Sequence, residues 1–169
     1  KFSILPENSN SKIDIDDCIE RLSTFLLDAD TQIKFPHYSA KALIKAINIV
    51  MRNNWMRFGD LIVRQLIGIA MGMSPAPSIA NLYVAIHENM EILSFLESCL
   101  LYLRRFIDDG FTIWLHHSDP IVDNNNWAMF QLAIKSWGLG WTFTKRQKQV
   151  DFMDMTIKIV GSNFETTLF

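Results

Sequence analysis

The sequence predicts an α+β fold, with an antiparallel sheet packed against helices. Three observations carry that expectation. Apolar residues recur at helical spacing in four segments spread along the chain. Short runs rich in aromatic and β-branched residues lie between and after them. Two of those runs flank an Asp-Gly step, a strong hairpin signal. No internal repeat, low-complexity tract or linker divides the 169 residues, which suit one domain or one large subdomain over 1–169.

Residues 1–13 contain Ser, Asn, Pro and Glu and are expected to be irregular, a divergent start to the domain. A helix is expected from Asp14, where Asp14, Asp16 and Asp17 suit the positive N-terminal end of the helix dipole. Ile19, Leu22, Leu26 and Leu27 give it an apolar face. A second helix spans 39–56, with Ser39 as N-cap and Leu43, Ile44, Ile47 and Met51 at helical spacing. Leu61, Val63 and Gln65 suit a short strand. The segment QLIGIAMGMSPAPSIANLYVAIHE, 65–88, begins as a Gly/Ser/Pro loop and runs into a helix reaching about residue 97, with Pro77 in its first turn. Leu100–Ile107 and Phe111–Leu115 suit strands, with Asp108-Asp109-Gly110 at the tip between them. Asn124–Asn126 cap a helix that places Trp127, Phe130, Ile134 and Trp137 on one face and ends at Gly138. Trp141–Thr144, Val150–Val160 and Phe164–Phe169 are expected as strands, with a turn at Gly161-Ser162-Asn163.

Nearly half the residues are apolar (49%), enough for a real core and too many for a disordered tail. The net charge of −2 lacks the basic surplus usual in nucleic-acid binders, although a local basic patch is compatible with such a total. Cys18 and Cys99 lie far apart, and no Cys/His spacing suits zinc. Both are expected as reduced thiols with no disulfide partner, in an intracellular protein, nuclear or cytoplasmic. No apolar stretch reaches the roughly 20 residues that span a bilayer, so no membrane partner is expected. The chain starts on Lys and stops on FETTLF, and is expected to be a fragment of something larger.

Chemistry concentrates in RRFIDDGFTIW, residues 104–114. Adjacent carboxylates repel, and a divalent cation is one reason to hold both. Hard Mg²⁺ takes oxygen ligands, with phosphate oxygens completing its shell. Two such ions can clamp the attacking and leaving oxygens of a phosphoryl transfer. Asp is also common in solvated turns, so the dipeptide alone leaves both readings open. The Gly/Ser/Pro loop lies forty residues upstream and would let a backbone approach a ligand closely.

Together these segments resemble the palm of a reverse transcriptase, most like the Penelope-like retroelement enzymes. FIDD, 106–109, resembles the aromatic-x-Asp-Asp box. QLIGIAMGMSPAPSIANLYVAIHE resembles the Gln/Gly/Ser-Pro motif. GLGWTFTKRQKQVDFMDMTIKI resembles the segments that follow, with Phe152-Met153-Asp154 in place of Phe-Leu-Asp. The resemblance covers roughly 14–169 and implies a polymerase palm with fingers and thumb absent. It also implies Mg²⁺-dependent nucleotidyl transfer on an RNA or DNA template–primer with deoxynucleotides. Asp108 would be the main metal ligand and Asp109 a supporting one. Phe106 would sit near the primer end. Gln65, Gly68, Gly72, Ser74 and Pro75 would line the template and incoming-nucleotide side, Gly72 because a side chain there would crowd a base pair.

The remaining polar residues carry plainer readings. Lys145 could donate a proton to pyrophosphate, although a solvated basic face explains Lys145, Arg146 and Lys148 together. Asp154 reads as a strand-edge carboxylate in a local network. Arg104 and Arg105 could meet phosphates or offset the aspartates. His116-His117 reads as surface. A working palm also needs an aspartate from an earlier strand, and that position falls on Leu5, with Glu7 the nearest carboxylate. The expected function is therefore a reverse-transcriptase fragment inactive as it stands. The alternative is a non-catalytic nucleic-acid-binding or structural relic of the same fold. An unrelated Mg²⁺-dependent phosphohydrolase would explain the Asp pair but not the loop.

Overall fold

A computed structural model of the chain describes residues 1–4, 13–70, 72–92 and 98–168. It has mixed α+β architecture with small antiparallel sheets, as the sequence predicts. By its internal contacts the chain divides into two compact units. One comprises residues 1–8, 95–136 and 140–169, and the other 9–94 and 137–139.

The first unit is built on a four-stranded antiparallel sheet. Its strands are β1 (Phe2–Ile4), β4 (Leu100–Phe106), β5 (Asp109–Trp114) and β6 (Trp141–Phe143), in the order β4-β5-β1-β6. The helix α5 (Pro120–Lys135) buries Phe130 and Ile134 completely. Trp114, Trp127, Phe130 and Phe143 form an aromatic cluster, with neighbouring ring centroids 5.1–6.2 Å apart. Such contacts add to the gain from burying apolar area. A separate three-stranded meander follows: β7 (Gln149–Phe152), β8 (Met155–Val160) and β9 (Asn163–Leu168).

Among the described residues the second unit combines helices with one hairpin. Its helices are α1 (Ile15–Leu27), α2 (Ala29–Lys34), α3 (Ala40–Arg52) and α4 (Ala76–His87), and its hairpin joins β2 (Trp55–Phe58) to β3 (Leu61–Arg64). Asp14 caps α1 by accepting from the Asp16 and Asp17 amides at 2.9 Å, and Ser39 caps α3. Leu22, Cys18 and Met51 are fully buried, as are His87 and Trp137 to within 1%. The Tyr83 hydroxyl donates to Asp17 at 2.7 Å, tying α4 to α1.

Several boundaries differ from expectation. Residues 2–4 form a strand, because β5 and β6 pair with them on either side. The α3 helix stops at Arg52, and Trp55 and Met56 belong to β2. The helix after the Gly/Ser/Pro loop passes into a π-helical turn at Glu88–Ile92, and its expected extension over 93–97 lies outside the described residues. The α5 helix starts at Pro120, and Asn124–Asn126 lie inside it. Asp119 accepts from the Ile121 amide at 2.8 Å, and the fixed φ of Pro120 suits the first turn, a stronger start than the asparagines offer. Trp137 lies beyond the end of α5, belongs to the helical unit and stacks on His87 at 5.6 Å. Val150–Val160 is a hairpin rather than one strand, turning at Met153-Asp154.

Candidate functional site

The Asp pair sits at the β4–β5 hairpin, one residue out of the expected register. Phe106 pairs with Asp109, so Ile107 and Asp108 form a two-residue turn and Asp109 opens β5. Gly110 is part of that strand, opposite Arg105 on one side and Phe2 on the other. The glycine therefore lies within a strand paired on both sides, not in the turn itself. Ile107 has φ 52°, a left-handed conformation that a β-branched side chain strongly disfavours. Arg105 donates to the Ile107 carbonyl at 2.8 Å and closes the turn. Arg104 instead lies over the Tyr102 ring at 4.7 Å. Phe106, Ile107 and Asp108 are exposed.

Asp109 is half-buried and has a cation beside it. The Lys1 ammonium lies 3.3 Å from its Oδ2. On the same side β1 pairs with β5, with Ser3 opposite Asp109. The strand preceding α1 is therefore the direct neighbour of the carboxylates, and Leu5 and Glu7 lie outside the described residues.

The residues expected on the template side belong to the second unit. The Gln65 amide donates to Asn54 O at 2.8 Å, and its side-chain amide donates to Ile67 O at 2.8 Å. Gly68, with φ 79°, donates to Ile13 O at 3.0 Å. Gly72 has φ 90°, and a Cβ built there would meet no protein atom within 4 Å. Its requirement within the chain is backbone conformation alone. Ser74 and Pro75 are exposed ahead of α4, and Pro75 occupies the cap position without a side-chain cap bond. Asp108, Asp109 and Phe106 belong to the first unit.

One polar centre went unread in the sequence. Asp123, on the first turn of α5, is buried and accepts from four groups. They are Trp114 Nε1 at 3.0 Å, the His117 amide at 3.1 Å, Arg146 Nη1 at 2.6 Å and the His116 ring at 3.1 Å. Burial opposes its ionisation, but these donors outweigh it and hold the carboxyl well below the usual range. An acidic residue in a first helical turn normally signals dipole pairing, so sequence gave no reason to single it out. His116 and His117 are exposed, as expected, and meet this carboxylate through the His116 ring and the His117 amide. One expectation changes: Arg146 is four-fifths buried between Asp123 and the tryptophan rings, whereas Lys145 and Lys148 are exposed. Asp154 lies exposed in its turn, and the local hydrogen bond runs from Thr156 to Asp151 at 2.6 Å.

Among the described residues no group of three or more His, Cys, Asp or Glu side chains is gathered to hold a metal ion. The hairpin contributes two carboxylates. One Mg²⁺ is commonly held by one or two carboxylates with phosphate oxygens and waters. A two-ion clamp needs further donors. Cys18 and Cys99 are buried free thiols. Among the described residues no helix is long and apolar enough to cross a membrane. No protein-family model matches the chain, and neither a curated protein nor a solved structure matches it.

Proposed function

We propose that the chain is a reverse-transcriptase palm, a piece of an RNA-directed DNA polymerase that holds template–primer and deoxynucleotides inside the cell. The observation that carries the reading is the register of β1 against β5. A palm draws a ligand from a strand ahead of its first helix, and that ligand must reach the box carboxylates. Neighbouring strands lie about 4.8 Å apart, and Ser3 on β1 stands opposite Asp109, so this strand is the one from which such a ligand would be drawn. The strained Ile107 supports the reading as well, because strain of this kind collects at functional sites.

In this reading exposed Asp108 is the main Mg²⁺ ligand, and Asp109, fixed by Lys1, supports it. A bound Mg²⁺ would stabilise charge on the reacting phosphate. Phe106 offers its exposed ring to the primer end. Gly72 leaves its side open to a base pair, and Gln65, Gly68, Ser74 and Pro75 flank it. Leu5 stands where the further aspartate is needed, so nucleotidyl transfer by this chain is expected to be lost while template–primer binding persists.

A second reading, a non-catalytic nucleic-acid-binding relic, draws on the Lys1–Asp109 pair, which already supplies a cation at the tip. The test is primer extension on RNA with Mg²⁺, run beside a binding assay over a salt series. Salt-sensitive template–primer binding is expected under both readings. Both readings expect this chain to bind without extending, so they part on the metal: template–primer binding that Mg²⁺ strengthens and Asp108→Asn weakens would favour the polymerase palm. Extension that survives Asp108→Asn would remove the hairpin from the chemistry.

A further inference from the structure

The α1 helix carries two stripes of side chains. Ile15, Cys18, Ile19, Leu22 and Leu26 form the buried one. A second stripe runs along Asp17, Glu20, Arg21, Thr24, Phe25 and Asp28, again three or four residues apart, and lines an open groove. The facing wall comes from α4 and the π-helical turn after it, through Leu82, Ala85, Ile86, Asn89 and Met90 at the same spacing. The Tyr83 hydroxyl on Asp17 at 2.7 Å holds the two walls together. The groove measures about 850 Å³, is bordered also by α2 and Phe35, and lies wholly within the second unit.

Its surface is apolar with an acidic excess. Phe25, Leu82 and Ala85 are half-buried along it, while Phe35 and Met90 are 51% and 67% exposed. Asp17 and Arg21 satisfy each other at 2.9 Å. The carboxylates of Glu20, Asp28 and Asp30 are exposed and form no ion pair among the described residues. They outnumber the ammonium of Lys34, which lies over the Phe35 ring at 5.8 Å. An occupant that matches this groove is therefore apolar on one side and basic at its edges.

The walls also decide the backbone of that occupant. Peptide groups along α1 and α4 are spent inside their own helices, so neither wall offers a strand edge to an extended chain. The occupant must satisfy its own backbone, as a helix does. Ridges of side chains three and four residues apart on both walls are the surface on which a further helix packs. We infer that this groove docks a basic amphipathic helix of a partner protein. The apolar face of that helix covers Phe25, Phe35, Leu82, Ala85 and Met90, and its Lys or Arg side chains meet Glu20, Asp28 and Asp30. The groove uses neither Asp108 nor the Gly72 loop, so the inference goes beyond the polymerase reading and does not rest on it.

Fluorescence anisotropy with the whole chain tests it. The probe is a labelled peptide of about 18 residues, roughly five helical turns, with leucines at i, i+3, i+4 and i+7 and lysines between them. One control has the same composition in shuffled order, and another has glutamate in place of lysine. The probe is expected to bind about tenfold more tightly than either control. Glu20→Lys/Asp30→Lys is expected to lose about tenfold, and so is Phe35→Ser/Met90→Ser, which leaves the charge as it is. Both pairs are exposed, and unchanged circular dichroism spectra are expected; Asp108→Asn is expected to lose nothing. Equal binding of the shuffled peptide, or a loss confined to the charge variant, would reduce the contact to non-specific attraction and overturn the proposal. So would probe binding that neither double variant weakens. Sedimentation of the chain alone is expected to show a monomer. Self-association that both double variants abolish would make the occupant a second copy and overturn the assignment to a partner protein.

Discussion

Asp123 holds four donors at once, and its charge keeps Arg146 in place. Asp123→Asn removes the negative partner of a mostly buried guanidinium, with an expected cost of roughly 2–3 kcal/mol. That is below the loss for a fully buried pair, because His116 and the edge of Arg146 reach solvent. The folded-state pKa of Asp123 lies below its ordinary 3.8, so its contribution is present above that value and fades as pH falls through the folded one. Urea unfolding at pH 7 and near pH 2 checks both points, and the gap between wild type and variant should narrow in acid. Ile107 argues in the other direction. Replacing it with glycine relieves the left-handed strain and is expected to stabilise the protein by about 1 kcal/mol in the same assay. A stability gain accompanied by weaker template–primer binding would tie that strain to the site.

The helix starts in α1 and α3 were legible because their signals are local. Asp14 and Ser39 each sit just before an apolar repeat, and each accepts amide hydrogen bonds in the structure. Asp14→Ala should therefore cost about 1 kcal/mol in urea unfolding. The β1 strand was not legible, since its pairing comes from β5 and β6, which lie more than a hundred residues away. The hairpin was legible as a hairpin but not to the residue. Asp-Gly is the usual turn pair, yet Gly110 here lies within a strand between two neighbours and the strained Ile107 takes the turn. Asp123 escaped notice for a related reason: its donors come from β5, the residues after it and the 144–148 loop, which meet only after folding. In the Gly/Ser/Pro loop, Gly72→Ala meets no protein atom, so only its positive φ penalises the change, by about 1–2 kcal/mol. If nucleic acid passes Gly72, template–primer affinity should drop in filter binding in the folded variant. Unchanged affinity would take Gly72 out of the site.

At the scale of the whole molecule, the α+β class followed from the alternation of helical and strand patterns, and the antiparallel sheets agree with it. The division into two units did not follow, because no linker or change of composition marks it. Trp137–Leu139 belongs to the helical unit although the residues on either side of it belong to the other. The residues expected to carry function also fall in both units, the carboxylate hairpin in one and the Gln/Gly/Ser-Pro loop in the other. A palm must bring a metal and a nucleic acid to Asp108. The decisive measurement is paramagnetic broadening of backbone amide signals by Mn²⁺, an oxygen-seeking substitute for Mg²⁺. It would be recorded with and without an RNA–DNA template–primer and a deoxynucleotide. The expected result is broadening centred on Asp108, Asp109 and Gly110 that strengthens when nucleic acid and nucleotide are present and disappears in Asp108→Asn. Template–primer that fails to bind, or that binds without any broadening at the hairpin, would contradict the assignment of this chain as a polymerase palm.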